Sequence, residues 1–190
     1  MPTLGHSIEL MGIADLKFTP NGGSSKDIYG VRKLTIDIDG VAKPAEGDDK
    51  MLAYNSAIKG GKVAFESMGI SLDALGALTG QTVADTGSTP NQIATLNIKT
   101  GASPYGVLEG QGTLIQGPVA TVPADVHFKI PKFQVIASDI KISMGFEDMA
   151  VISGGGYALP DASNISVTLV FNETAVPITC LLYTSPSPRD

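Results

Sequence analysis

The string with the most pointed chemistry is Asp85-Thr86-Gly87-Ser88. An Asp-Thr-Gly turn can present a carboxylate for peptide hydrolysis, but that reaction needs two carboxylates sharing a proton, about 3 Å apart. No second Asp-Thr-Gly or Asp-Ser-Gly occurs, and Gln81-Thr82-Val83-Ala84 precedes the string where an apolar strand is required. Asp, Gly and Ser are turn formers, so the string reads as a turn. His6 and His127 are the two imidazoles. Neither has a second ligand two to four residues away, as a metal site built on one element would have. His127 falls on the polar side of an alternating run and reads as a surface residue. Asp37-Ile38-Asp39-Gly40 opens like a calcium loop, yet lacks the third ligand before the glycine and the closing Glu. Gly101–Gly106 has half of a phosphate-cradling spacing, with Val107 where a lysine is needed. Gly60-Gly61 and Gly154-Gly155-Gly156 do not open a helix and read as loops or bulges. No serine sits in a nucleophile elbow. The residues therefore assign no catalytic, cofactor-binding or metal-ligating position. The chain is expected not to be an enzyme and to need no cofactor.

Those strings must be positioned by elements, and the composition bounds what the elements are. A length of 190 residues suits one sizeable core, so a single domain over residues 1–179 is expected. Charged residues are only 17% and glycines number 22, which fits many turns and much surface turned away from bulk water. The formal net charge is −6, and the basic residues occur at most in pairs such as Arg32-Lys33. An acidic surface without a basic patch argues against gripping a phosphate backbone, while allowing DNA to slide past. The N-terminus carries no basic stretch followed by an apolar run, so no signal peptide is expected. No run of about 18 apolar residues predicts a membrane span. The sequons at Asn164 and Asn172 are then expected to be coincidental. Residues 180–190, Cys180 to Asp190, resemble a translated sequencing adapter and are expected to be a non-native tail. That tail holds the one cysteine, leaving residues 1–179 without a thiol for disulfides, nucleophiles or metal binding.

Alternation dominates the rest. Leu34, Ile36 and Ile38 share one face; so do Val63 and Phe65; Val126, Phe128 and Ile130; Ile140, Ile142 and Met144; and Ile165, Val167, Leu169 and Phe171. Each set alternates with polar or small residues, which predicts half-buried strands with one core face. Weaker strands are expected over 14–19, 92–99, 105–115 and 148–152. Their number and the turns between them predict a mainly β fold, an antiparallel β-sandwich or barrel. One short flanking α-helix is predicted over about 71–79. Ser71 caps it, Asp73 sits in its first turn, Gly80 ends it, and Leu72, Leu75 and Leu78 pack it on the sheet; Ile70 can staple onto Leu75. Pro20–Lys26, 82–90, 117–123 and 153–162 read as loops. A long loop is predicted over about 40–57, with Pro44, Gly47 and the acidic Glu46-Gly47-Asp48-Asp49 run. A compact monomer seldom keeps so long a loop without a use for it.

Taken in order, these features resemble the major tail tube proteins of long-tailed bacteriophages. The resemblance runs over about residues 10–175. It rests on the Leu16-Lys17-Phe18-Thr19-Pro20 strand, the strand to Asp39, the acidic segment within 45–57, the run Lys62–Gly80 from strand into helix, and the glycine-rich turn with Ala158-Leu159-Pro160-Asp161. It implies a virion structural protein whose subunits form a hexameric ring, with rings stacking into a tube that lets DNA pass. It also implies sheets of neighbouring subunits joining into an inner barrel, assembly in the host cytoplasm, and tape-measure and tail-terminator proteins as partners besides the chain itself. DNA would be met only transiently in the lumen, and no membrane would be involved. Within that resemblance the long loop would reach an adjacent subunit or ring, which makes Pro44, Glu46, Gly47, Asp48, Asp49, Met51, Leu52 and Tyr54 the candidate inter-subunit residues. The inner tube of a contractile tail or injection system, and an immunoglobulin-like binding module of a virion, are the alternatives. Against the binding module stand the absence of Trp and a modest aromatic content, 6 Phe and 5 Tyr.

Overall fold

A computed structural model describes residues 10–47, 50–69, 71–114, 125–145, 150–172 and 178. The strands are β1 (Leu10–Pro20), β2 (Lys26–Asp27), β3 (Val31–Gly47) and β4 (Lys50–Ser67), followed by helix α1 (Leu72–Thr79). After the helix come β5 (Val83–Thr86), β6 (Ile93–Leu96), β7 (Tyr105–Leu114), β8 (Asp125–Val135), β9 (Lys141–Ser143), β10 (Val151–Ala158) and β11 (Thr168–Asn172). The fold is mainly β with antiparallel pairing and one short helix. Among the described residues the main sheet runs β2-β1-β7-β8-β10-β4-β3, with β11 added to β8 and β9 to β10. It does not close into a barrel, because β2 and β3 end the path unpaired with each other. The curl of the sheet nevertheless brings β1 against β3. β5 and β6 form a separate ribbon.

The sheet wraps one apolar cluster. Leu16 and Phe18 of β1, Val63 and Phe65 of β4, Leu108 of β7, and Ile130 and Phe133 of β8 meet there. Phe18 and Phe133 contact edge to face with ring centres 6.0 Å apart. Burial of these side chains follows from the period-2 pattern, which turns every second residue inward. Each large side chain so buried contributes about 1.5–3 kcal/mol.

Glycines let the aromatic rings lie on the sheet. Gly110 faces Phe128 across the β7–β8 ladder, and Gly154 faces Phe65 across β10–β4. A methyl group at Gly154 would sit 2.5 Å from the Phe65 ring, so the ring occupies the space a side chain would need. Gly156 stands in the same relation to Phe133. The stretch 153–162, predicted as a loop, therefore begins as β10, a central strand paired on both sides. Glycine-rich composition here marks close packing rather than a turn.

Helix α1 packs beside β1 and β2 and adds Ala74 and Leu78 to the core cluster. The Ser71 hydroxyl accepts from the Ala74 N–H at 3.2 Å, and Gly80 ends the helix at φ +70°. Only a residue without a Cβ adopts that φ freely. Leu75 and Leu78 are buried along with Ala74. Leu72 is not part of the packing face; it is 36% exposed. At 3.6 residues per turn it lies roughly 110° from the centre of the Ala74–Leu75–Leu78 face. Ile70 lies outside the described residues.

The predicted loop over 40–57 is instead the outer part of a long hairpin. β3 and β4 pair from Val31↔Ser67 to Gly47↔Lys50. The turn signals misled because only the tip need turn. Pro44 sits in an edge strand, opposite Tyr54, where a missing N–H costs no sheet bond on the open side. Pro44, Glu46, Gly47, Met51, Leu52 and Tyr54 are thus strand residues, while Asp48 and Asp49 lie outside the described residues. Other expectations also shift. The run 139–144 gives only the three-residue β9, preceded by a 3-10 turn at Ala137–Asp139, and its Ile142 and Met144 are 42% and 75% exposed. Ile38 and Leu169 do not join the core either.

Candidate functional site

The strings weighed for catalysis are dispersed. Asp85 and Thr86 belong to β5, paired with Ala94 and Ile93, and both are exposed. Gly87 takes φ +83° at the start of the connection to β6. Asp37 and Asp39 are exposed strand residues on β3. His6 lies outside the described residues. Among the described residues no group of three or more His, Cys, Asp or Glu side chains could hold a metal ion, and no helix is long and apolar enough to cross a membrane.

One polar cluster was missed by the sequence reading. His127, expected at the surface, is 1% exposed, as is Asp125. The His127 Nε2 lies 2.6 Å from Asp125 Oδ2, and the Gln111 amide donates to Asp125 Oδ1 at 2.9 Å. Next along the same face, Lys129 and Glu109 pair at 2.8 Å. On β1, Lys17 lies 3.4 Å from Asp15 and 3.5 Å from Asp27. Burial alone would lower the Lys17 pKa, but the two carboxylates outweigh it and hold it above the usual lysine value. The polar side of β8 is therefore a buried or half-buried ladder, with Glu109 and Gln111 of β7 opposite Lys129 and His127. The available signal was the matching alternation Glu109, Gln111 in the neighbouring strand. Polar alternation was equated with solvent, whereas here it reflects polar residues satisfying each other. Among the described residues, His127 Nδ1 and Asn172 Nδ2 are buried with no hydrogen-bond partner.

The remaining features are surfaces. Beyond Gly61 the β4 strand has no neighbour other than β3 among the described residues, since β10 pairs only with Gly61–Ser67. The β3–β4 hairpin thus extends past the sheet as a two-stranded ribbon. Where it leaves the sheet, Ile38 and Ile58 are 68% and 74% exposed. Of the predicted inter-subunit residues, Pro44, Glu46, Gly47, Met51, Leu52 and Tyr54 fall on this ribbon; the helix residues Leu75 and Leu78 are inside the subunit.

No family model matches the chain, and no curated protein matches it. Among solved structures, one chain from the tail of an empty GTA particle with C6 symmetry aligns with a TM-score of 0.37 and 11% identity. The alignment covers 83% of this chain and 94% of that one.

Proposed function

We propose that the protein is a structural virion protein that polymerises as stacked, hexameric rings into the tail tube through which DNA passes. The observation that carries this reading is the β3–β4 ribbon, which leaves the sheet and, among the described residues, pairs only with itself. A two-stranded ribbon is marginally stable in water and gains stability when a further surface packs on it. Among the described residues, the edge of β3 is open and offers unpaired backbone groups over the same length. Joining such edges between neighbouring subunits in a ring removes them, and head-to-tail contacts that do not close extend a filament. The order of elements and the acidic segment resemble those of tail tube proteins, and a net charge of −6 suits a conduit that DNA does not adhere to. Tape-measure and terminator proteins would be the partners at the ends, and the virion tail the location.

Negative-stain microscopy of purified protein at increasing concentration tests the reading. Hollow tubes or six-fold rings are expected. Protein that stays monomeric at the highest soluble concentration would overturn it.

A further inference from the structure

Asn21 is followed by Gly22, the one Asn-Gly pair in the chain. The pair sits in the turn that carries β1 toward β2. The Gly23 N–H donates to the Pro20 carbonyl at 2.9 Å and closes the turn, with Gly22 at φ +75°. A glycine in that position and conformation is the mark of a type II turn. The Asn21 N–H donates to the Tyr105 carbonyl at 2.9 Å and ties the turn to the start of β7. The Gly22 N–H makes no hydrogen bond among the described residues. Asn21, Gly22 and Gly23 are all exposed.

Asparagine is a thermolabile residue. Its side-chain carbonyl carbon lies within reach of the next residue's backbone nitrogen, and a bond between them closes a succinimide ring. Two things ordinarily hinder that step: a side chain on the following residue, and a hydrogen bond that engages its N–H. Neither operates at Gly22. It has no Cβ to crowd the nitrogen, and the space where one would point is open, with no atom within 4 Å. The other asparagines precede Ser56, Gln92, Ile98, Ile165 and Glu173, all of which carry side chains. Asn97 is exposed as well, so exposure alone does not single out Asn21.

We infer that Asn21 is a site of spontaneous modification, converting with water to aspartate and isoaspartate through a succinimide. The Gly22 nitrogen gives up its proton and bonds to Asn21 Cγ. The Cγ–Nδ2 bond breaks, and the amide nitrogen leaves as ammonia, taking that proton. Water then adds to one of the two ring carbonyls; its hydroxyl stays on the carbon and its proton goes to the nitrogen that the opening ring releases. Nothing is oxidised or reduced. Both products carry a carboxylate, ionised at pH 7, which makes the formal net charge of −6 one unit more negative. They differ in the main chain. Isoaspartate routes it through Cβ, between the hydrogen bonds to Tyr105 and Pro20, and so loosens the end of β1; aspartate leaves that path unchanged. The site does not depend on the tube reading.

Peptide mapping by mass spectrometry tests the site, using the soluble full-length chain held in warm, mildly alkaline buffer. Trypsin releases Phe18–Lys26, in which Asn21 is the one asparagine. Asn21 should be lost at least roughly tenfold faster than Asn97, which is exposed but precedes a branched side chain. The product should separate into aspartate and isoaspartate with isoaspartate in excess, and should take up one heavy oxygen from heavy-oxygen water. The rate should rise with pH, because the attacking nitrogen must be deprotonated. Asn21→Gln should stay intact over the same time, since its longer side chain closes the ring poorly. Loss of Asn21 no faster than loss of Asn97 would overturn the proposal. Aspartate without isoaspartate would also overturn it, because it reports hydrolysis without the ring. A synthetic Phe18–Lys26 peptide gives the rate outside the fold. Conversion of that peptide while the folded chain stays intact would overturn the proposal too, because the turn would then shield Asn21.

Discussion

The β3–β4 hairpin is built in two halves that share strands, register and alternation but not fate. Its inner half, Val31–Ile38 against Gly61–Ser67, joins β10 through β4 and puts Val63 and Phe65 into the core at 0% and 2% exposure. In its outer half, from Gly40↔Ile58 to Gly47↔Lys50, β3 and β4 have only each other among the described residues. Pairing suffices to make a strand; a third neighbour and an apolar face beneath it are what make it contribute to stability. Mutations in the two halves should therefore separate folding from assembly.

The largest effects belong to the inner half. Phe65→Ala should destabilise the subunit by about 3–5 kcal/mol, read as a lower urea midpoint. Gly154→Ala should cost about 1–3 kcal/mol, because its methyl group collides with the Phe65 ring. Combining the two should cost less than their sum, since the ring that clashes is gone. Strict additivity would show that ring and glycine are not packed as described.

Next come the polar residues behind β8. Asp125→Ala removes the acceptor for both Gln111 and His127 in a site 1% exposed. A loss of about 2–4 kcal/mol is expected in urea unfolding at pH 7, from one to two buried donors left unmatched. A loss under about 0.5 kcal/mol, the range of ordinary surface substitutions, would mean that the cluster is open to water.

A smaller effect is expected at Lys17. Its ammonium serves two carboxylates at 3.4 and 3.5 Å, and pairs this near the surface are worth about 0.2–1 kcal/mol. Lys17→Met should cost no more than that at pH 7. The folded-state pKa is raised, so this contribution is present below the unfolded lysine value and is lost as pH rises through the folded one. Stability curves of parent and variant should accordingly converge above about pH 10.5. Divergence on the alkaline side would contradict the pairing.

The same contrast explains what could be read without coordinates. Leu16, Phe18, Val63, Phe65 and Ile130 alternate with polar or small neighbours and are buried, as period-2 patterning predicts. The helix was legible because Ser71 and Gly80 are capping residues whose effect is local. Three features were not legible. β10 hides behind three glycines, whose meaning depends on Phe65 and Phe133 from distant strands. Burial of Asp125 and His127 depends on which strands flank β8. The outer hairpin carries Pro44 and Gly47, which signal turns unless the strand is known to lie at an edge. Each miss was a tertiary relation; the segment carrying the candidate assembly residues was read as a loop and is a pair of strands.

The smallest effect on stability should come from the outer half, and it bears most directly on function. Replacing residues 43–55 with an Asn-Gly pair leaves Ala42 opposite Ser56, the flanking pair a two-residue turn requires. The replacement takes away backbone pairs that no third strand supports and leaves the Val63–Phe65 core in place. Urea unfolding should therefore shift by less than about 0.5 kcal/mol. Polymerisation should nevertheless be lost, because the proposed tube reading gives the ribbon the contact with neighbouring subunits. A large loss of stability would show that the ribbon packs on its own subunit, erasing the contrast between the halves. Normal tubes from the shortened chain would show that the ribbon is dispensable for assembly.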